Sequence, residues 1–232
     1  MSDHLQTSPL GTDSLLRQAR RNVLADDVYD ILRDGLITRR IPPGSRLNLD
    51  QLARELHVSN TPVRQALARL ESEGLVTKEP YRGFAASRLL DSRTIAELYD
   101  YRLLIEPPTA ARAARRRTED GASELESLCD VETVKPLLHV DPSESGLPQR
   151  DVDFHICVAR QANNSVVVEN VSQTLTRMAT YSGYGQSGAA DEAWEEHRAI
   201  VAAIVAKEPE AAAKAMRVHL TNGRNRIREQ FG

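Results

Sequence analysis

Residues 47–87 read LNLDQLARELHVSNTPVRQALARLESEGLVTKEPYRGFAAS, and the apolar spacing within them decides the front half of the fold. Leu49, Leu52, Ala53 and Leu56 fall on one face of a short helix. After Val58-Ser59-Asn60 a second helix begins, with Val63, Ala66, Leu67 and Leu70 repeating at i, i+3, i+4 and i+7. Pro62 sits in its first turn, where a missing N–H costs nothing, and Ser59 or Thr61 can cap it. Gly74 ends it. The stretches LVTKE and GFAAS then flank PYR, which predicts a two-stranded hairpin with Gly83 at the turn. Upstream, Val28, Ile31, Leu32 and Leu36 mark a helix over 26–37, and RRIPPGSRLN breaks it. Three helices with a tight middle turn, followed by a hairpin, make a winged helix-turn-helix.

Beyond Leu90 strand signal nearly vanishes. Six helical segments are expected, at 92–116, 119–134, 147–162, 165–184, 190–206 and 208–230, with HVDPSES and SGYGQSGAA as the longer loops. Such a run of helices packs as an all-α six-helix bundle. The expected organisation is a flexible tail over 1–20, the winged domain over 21–88, and the helical domain over 92–232. The fold class is mainly α.

Bulk composition narrows the function. Aromatics at 4% are too sparse for a platform that stacks single-stranded nucleic acid. No apolar run approaches the roughly 18 residues of a membrane span, and the first twenty residues lack a secretory segment, so a cytoplasmic protein is expected. Cys129 and Cys157 form no CxxC pattern and read as reduced thiols. The net charge of −3 divides unevenly: residues 1–88 hold 13 Lys and Arg against 11 Asp and Glu, and the excess of acid lies behind them. A mildly basic front on an acidic body suits a front end that meets a polyanion.

The second helix of a helix-turn-helix enters the major groove with its N-terminal residues against base edges. With its apolar face set, the opposite face carries Thr61, Arg64, Ala68 and Glu71. Arg64 is placed for a bidentate contact to guanine, and Asn60 for adenine or a phosphate. Ser59 and Thr61 complete the helix start, while Arg82 and Gly83 at the wing tip suit the minor groove. Helix-turn-helix units also serve as protein-interaction modules; the basic wing favours DNA. These residues closely resemble the DNA-binding domain of GntR-family transcription regulators, through VSNTPVRQAL, LESEGLV and the Arg-Gly wing. The resemblance implies binding to double-stranded operator DNA. It departs at two places: the family often has Arg where Asn60 stands, and many members carry a basic residue where Asp50 stands.

The second motif is DVDFH at 151–155. A helix turns about 100° per residue, so Asp151 and His155 share a face, while Asp153 is turned about 200° from His155. His197 lies on the stripe of Ile200, Val201 and Ile204, and His219 on that of Ala212, Ala215 and Met216. Each histidine alone reads as a satisfied core residue. Together with an acid at i−4 they make a divalent-metal site of Asp151, His155, His197 and His219, with zinc the first candidate and nickel or manganese the others. Arg102 shares a stripe with Ile95, Leu98 and Ile105, and Arg226 lies two turns beyond His219. A guanidinium beside a metal can receive a small carboxylate, although a salt bridge from Arg102 to Glu106 competes as a reading.

DxxFH, then Asn164, EHRAI, MxxHL and the leading Arg102-xxx-Glu106 resemble the FCD effector-binding domain of the FadR branch of GntR regulators. The resemblance implies a helical bundle binding a divalent cation through the four residues named; six helices place it with VanR-like members. The expected function is a homodimeric regulator, a repressor in the commoner mode, released by a small organic acid. A metal sensor is the alternative. An enzyme is disfavoured, because no nucleophile elbow, HExxH motif or spare general base accompanies the four ligands.

Overall fold

The structure, a computed structural model, describes residues 12–80, 83–138, 140–141, 145–179 and 189–231. The chain divides into two compact units, one of residues 1–35 and 44–87 and one of residues 36–43 and 88–232.

Helix α1 (Thr12–Ile37), which belongs to the first unit up to Gly35, buries Val28, Tyr29 and Leu32, whereas Ile31 faces outward. The helix therefore reaches back into the stretch expected as a tail, over residues 12–20, where the polar sequence conceals it. Helices α2 (Leu49–Glu55) and α3 (Asn60–Ser72) follow, with Val63, Ala66, Leu67 and Leu70 buried as the spacing requires. Asn48 caps α2 by accepting from the Gln51 N–H. Ser59 stands at the N-cap of α3 but makes no side-chain cap bond, contrary to the expected capping role. Gly74, at φ +77°, takes the left-handed position after α3 that favours glycine.

The sheet has three strands in the order β1-β3-β2, from β1 (Arg46–Leu47), β2 (Val76–Glu79) and β3 (Gly83–Ala86). The hairpin is the one expected, with Val76 opposite Ala86 and Glu79 opposite Gly83. The third strand comes from the Pro-Gly stretch before α2, where two residues are too few to show alternation.

In the second unit, α4 (Ser92–Arg116), α5 (Glu119–Leu128), α6 (Val131–Val134), α7 (Leu147–Gln161), α8 (Ser165–Ala179), α9 (Ala189–Val205) and α10 (Pro209–Phe231) build an all-helical bundle. The segment expected over 119–134 is two helices, because Asp130 breaks the first and caps the second by accepting from the Thr133 N–H at 3.0 Å. The expected end of the fourth segment, 180–184, lies outside the described residues. α4 packs most extensively on α10 and continues through Pro107 and Pro108. Two missing N–H groups weaken the ladder there, and burial of the face carrying Ile95, Tyr99, Arg102 and Glu106 holds it. The core gathers around Phe154, Trp194, Ile200, Ile204 and Met216. Among the described residues no helix is long and apolar enough to cross a membrane.

Candidate metal centre and DNA-reading helix

Four side chains from three helices converge inside the second unit. α7 supplies Asp151 and His155, α9 supplies His197, and α10 supplies His219. Each offers one ligand atom, and the four lie within 4.8 Å of one another. His197 Nε2 is 3.3 Å from His219 Nε2 and 3.3 Å from Asp151 Oδ1; His155 Nε2 is 3.9 Å from Asp151 Oδ1. Ligand atoms bound tetrahedrally at the usual zinc distances sit ~3.3 Å apart; the two His197 separations match that spacing, and the wider ones need only a small closing movement for the four to hold one ion. The three imidazoles are almost wholly buried, and Asp151 alone keeps partial exposure.

The carboxylates behind the histidines set which nitrogen faces inward. His219 Nδ1 lies 2.8 Å from Glu196 Oε2, and His155 Nδ1 lies 2.6 Å from Glu106 Oε2. A ring holding its proton on Nδ1 toward a carboxylate presents a bare Nε2, the tautomer a metal ligand needs. The Glu106 approach is a close ion-pair contact in which neither His155 Nδ1 nor Glu106 Oε2 makes a hydrogen bond, so the tautomer is fixed most firmly at His219. His197 Nδ1 is buried without one. Phe154 stacks on the His197 ring at 4.1 Å, and Trp194 meets that ring edge-on at 4.8 Å, so aromatic packing orients it instead.

Burial, then the neighbouring positive groups, pushes His197 well below the ordinary imidazole range. Burial likewise lowers His219 against the pull of Glu196. These two rings are neutral near pH 7, with lone pairs available to a cation. Glu196 is desolvated, yet His219, Arg226 and Asn222 bring its carboxyl down to about 2. For Glu106, burial is outweighed by Arg102 and His155, which hold it far below the ordinary carboxylate range.

The two arginines occupy different places. Arg102 is 4% exposed; its Nε donates to Glu106 Oε1 at 2.5 Å while its terminal NH2 lies 3.1 Å from His155 Nε2. The salt bridge and the approach to the cluster coexist in one side chain. Arg226 is turned to Glu196, giving one terminal nitrogen to each carboxylate oxygen at 2.9 Å. It reaches the cluster through Glu196 and His219, not directly. His219, Asn222 and Arg226 form one stripe of α10 facing Glu196. Glu196 is a site residue that the sequence does not single out, because its partners His219, Asn222 and Arg226 all lie on another helix.

Asp153 points away from the cluster. It is exposed, and its Oδ1 accepts from Gln149 Nε2 at 2.7 Å. Calorimetric zinc titration should therefore separate the two acids: Asp151→Ala is expected to weaken binding by on the order of tenfold to a hundredfold, and Asp153→Ala to leave it unchanged.

In the first unit, Ser59, Asn60, Thr61 and Arg64 stand exposed at the start of α3. Arg82 lies outside the described residues. Gly83 is exposed at φ +84°, and an added Cβ would meet no neighbour, so the backbone torsion is what calls for glycine. The two departures from the commoner GntR pattern touch each other: Asn60 Nδ2 donates to Asp50 Oδ1 at 2.7 Å.

Two family models match consecutive parts of the chain, the gntR family of bacterial regulatory proteins over residues 24–85 and the FCD domain over residues 97–222. The chain belongs to the GntR family and carries an FCD domain. The putative L-lactate dehydrogenase operon regulatory protein of Escherichia coli is 28% identical over 226 residues, covering 85% of this chain and 84% of that one. The Uxu operon transcriptional regulator of Escherichia coli is 30% identical over 226 residues, covering 88% and 86%. Among solved structures, Escherichia coli McbR/YncC superposes with a TM-score of 0.75 at 23% identity over 90% of this chain and 99% of that one, a likeness of fold. This GntR regulator is accordingly a DNA-binding transcription regulator, and its domains are those of regulators, not of an enzyme.

Proposed function

We propose that this regulator is a homodimeric, cytoplasmic repressor whose operator affinity is set by a small organic acid received at the Asp151, His155, His197 and His219 cluster. The observation that carries the reading is a buried guanidinium, Arg102, 3.1 Å from one of four convergent ligand atoms. A divalent cation held by the four residues, zinc first and nickel or manganese next, would supply a Lewis-acidic centre for carboxylate oxygens. Arg102 offers a second, charge-assisted grip, and Glu106 fixes its Nε so that the terminal nitrogens face the cluster. Arg226 acts as a positioning residue, holding Glu196 so that His219 keeps its proton on Nδ1. The relative named as a putative L-lactate dehydrogenase operon regulatory protein makes hydroxy acids reasonable first probes. The acid alters operator binding only by preferring one of two DNA-affinity states, and release from DNA is the expected sign. On the DNA side, Arg64 reads guanine from the groove face of α3, with Ser59, Thr61, Arg82 and Gly83 adding backbone contacts.

Metal-stripped and metal-loaded protein, each titrated with small carboxylates, test this. In the metal-loaded form an acid at saturation should raise the melting temperature by about 5 °C or more and weaken operator binding tenfold or more. Without metal neither should occur. If metal alone switches operator binding and no acid acts, the protein is a metal sensor. If neither metal nor acid acts, the proposal fails. Separately, Arg64→Ala should weaken operator binding about 5- to 150-fold; unchanged binding would remove α3 from the groove.

A further inference from the structure

We infer that Asp50 is a positioning residue for base recognition: it fixes the Asn60 carboxamide so that Asn60 reads an adenine within two positions of the base pair read by Arg64. The inference rests on α3 being the DNA-reading helix. Asn60 is the first residue of α3 and is exposed, as is Asp50 in the first turn of α2. Their side chains meet at 2.7 Å, nitrogen to oxygen.

A carboxylate only accepts hydrogen bonds, so the amide nitrogen of Asn60 must be the atom facing Asp50. That removes the freedom of the carboxamide to flip. Its Oδ1 is directed away from Asp50, and one N–H remains to accompany it. An acceptor beside a donor is the pattern that pairs with N6 and N7 of adenine in the major groove. The opposite pattern, which a flipped amide would offer, is closed off.

The same contact argues against a phosphate for Asn60. A phosphate within reach of its amide would lie beside the Asp50 carboxylate, and the two negative charges repel. An amide tied to an acid belongs at a base edge. Its spacing to Arg64 sets the register. Asn60 and Arg64 are four residues apart on one face of the helix, about 6 Å along its axis. That is under two base steps of about 3.4 Å. The half-site should therefore carry an A·T pair within two positions of the G·C pair read by Arg64.

The experiment is selection from a randomised DNA library with the full-length protein, followed by competition binding on the recovered site. The wild type should recover an A·T pair within two positions of the pair whose preference Arg64→Ala abolishes. Asp50→Ala should reduce the A·T preference on the order of tenfold while the salt dependence of binding stays the same. Asp50→Asn, which keeps the shape but can present either a donor or an acceptor, should reduce it as well. In an Asn60→Ala background, Asp50→Ala should have no further effect on that position. Three results would overturn the inference. Asp50→Ala could keep the preference within twofold; the loss could persist equally without Asn60; or Asn60→Ala could weaken all sequences uniformly, as loss of a phosphate contact does. If Arg64→Ala changed no preference while Asn60→Ala still did, the groove assignment of Arg64 would fail and the Asp50–Asn60 pair would stand.

Discussion

Glu106→Ala is expected to destabilise the protein by about 3–5 kcal/mol, because it leaves the buried Arg102 without its countercharge. Glu106 is 3% exposed and touches both Arg102 and His155, so neither water nor another described hydrogen-bonded carboxylate takes its place at the Nε of Arg102. For a chain of this size the loss corresponds to a melting temperature lower by about 10 °C, measurable by scanning calorimetry. Replacing the pair together, as Arg102→Met with Glu106→Leu, removes both charges and should recover most of that stability. The double variant should nevertheless lose the response to acid, since the guanidinium is gone. A single variant that melts with the wild type would show that the ion pair does not hold α4 to the cluster.

The second large effect belongs to His197→Ala. His197 is wholly buried, its Nε2 lies 3.3 Å from two other ligand atoms, and Phe154 and Trp194 fix its ring. Removing one of four preorganised ligands should weaken zinc binding by roughly a hundredfold to a thousandfold, given the ~10–16 kcal/mol typical of complete four-ligand sites. Competition with a chromophoric chelator measures it. Loss of the ring also opens a cavity beside Phe154 and Trp194, so part of any drop in stability is packing, not metal. His219→Ala separates the two, because His219 lacks the aromatic stack that holds His197.

Much of this site was legible in spacing alone. Asp151 and His155 lie one turn apart, and Asp153 could not join them; the structure turns Asp153 to Gln149. His197 and His219 were recognisable because each sits on an apolar stripe, where an imidazole has to find a partner. The winged helix was legible for the same reason, since Val63, Ala66, Leu67 and Leu70 leave one packing face for α3. What periodicity could not show were contacts between helices distant in sequence. That Glu196 faces His219, Asn222 and Arg226 depends on how α9 packs on α10, and no local pattern encodes it. Nor could spacing choose between a salt bridge and an approach to the metal for Arg102, because its long side chain does both. The short strand β1 and the early start of α1 leave little trace in the sequence, because two residues, or a polar turn of helix, carry too little pattern.

The site contains its own reporter. Trp194 is the single tryptophan of the chain, and its ring is 4.8 Å from His197 at 86°. Zinc titrated into metal-stripped full-length protein, followed through tryptophan emission, tests the four-ligand centre directly. The expected result is a saturable change at one zinc per chain, preserved in Asp153→Ala and shifted to at least tenfold higher zinc in Asp151→Ala. An emission that does not respond to zinc, or a midpoint that is the same in Asp151→Ala as in the wild type, would contradict a metal centre at these residues.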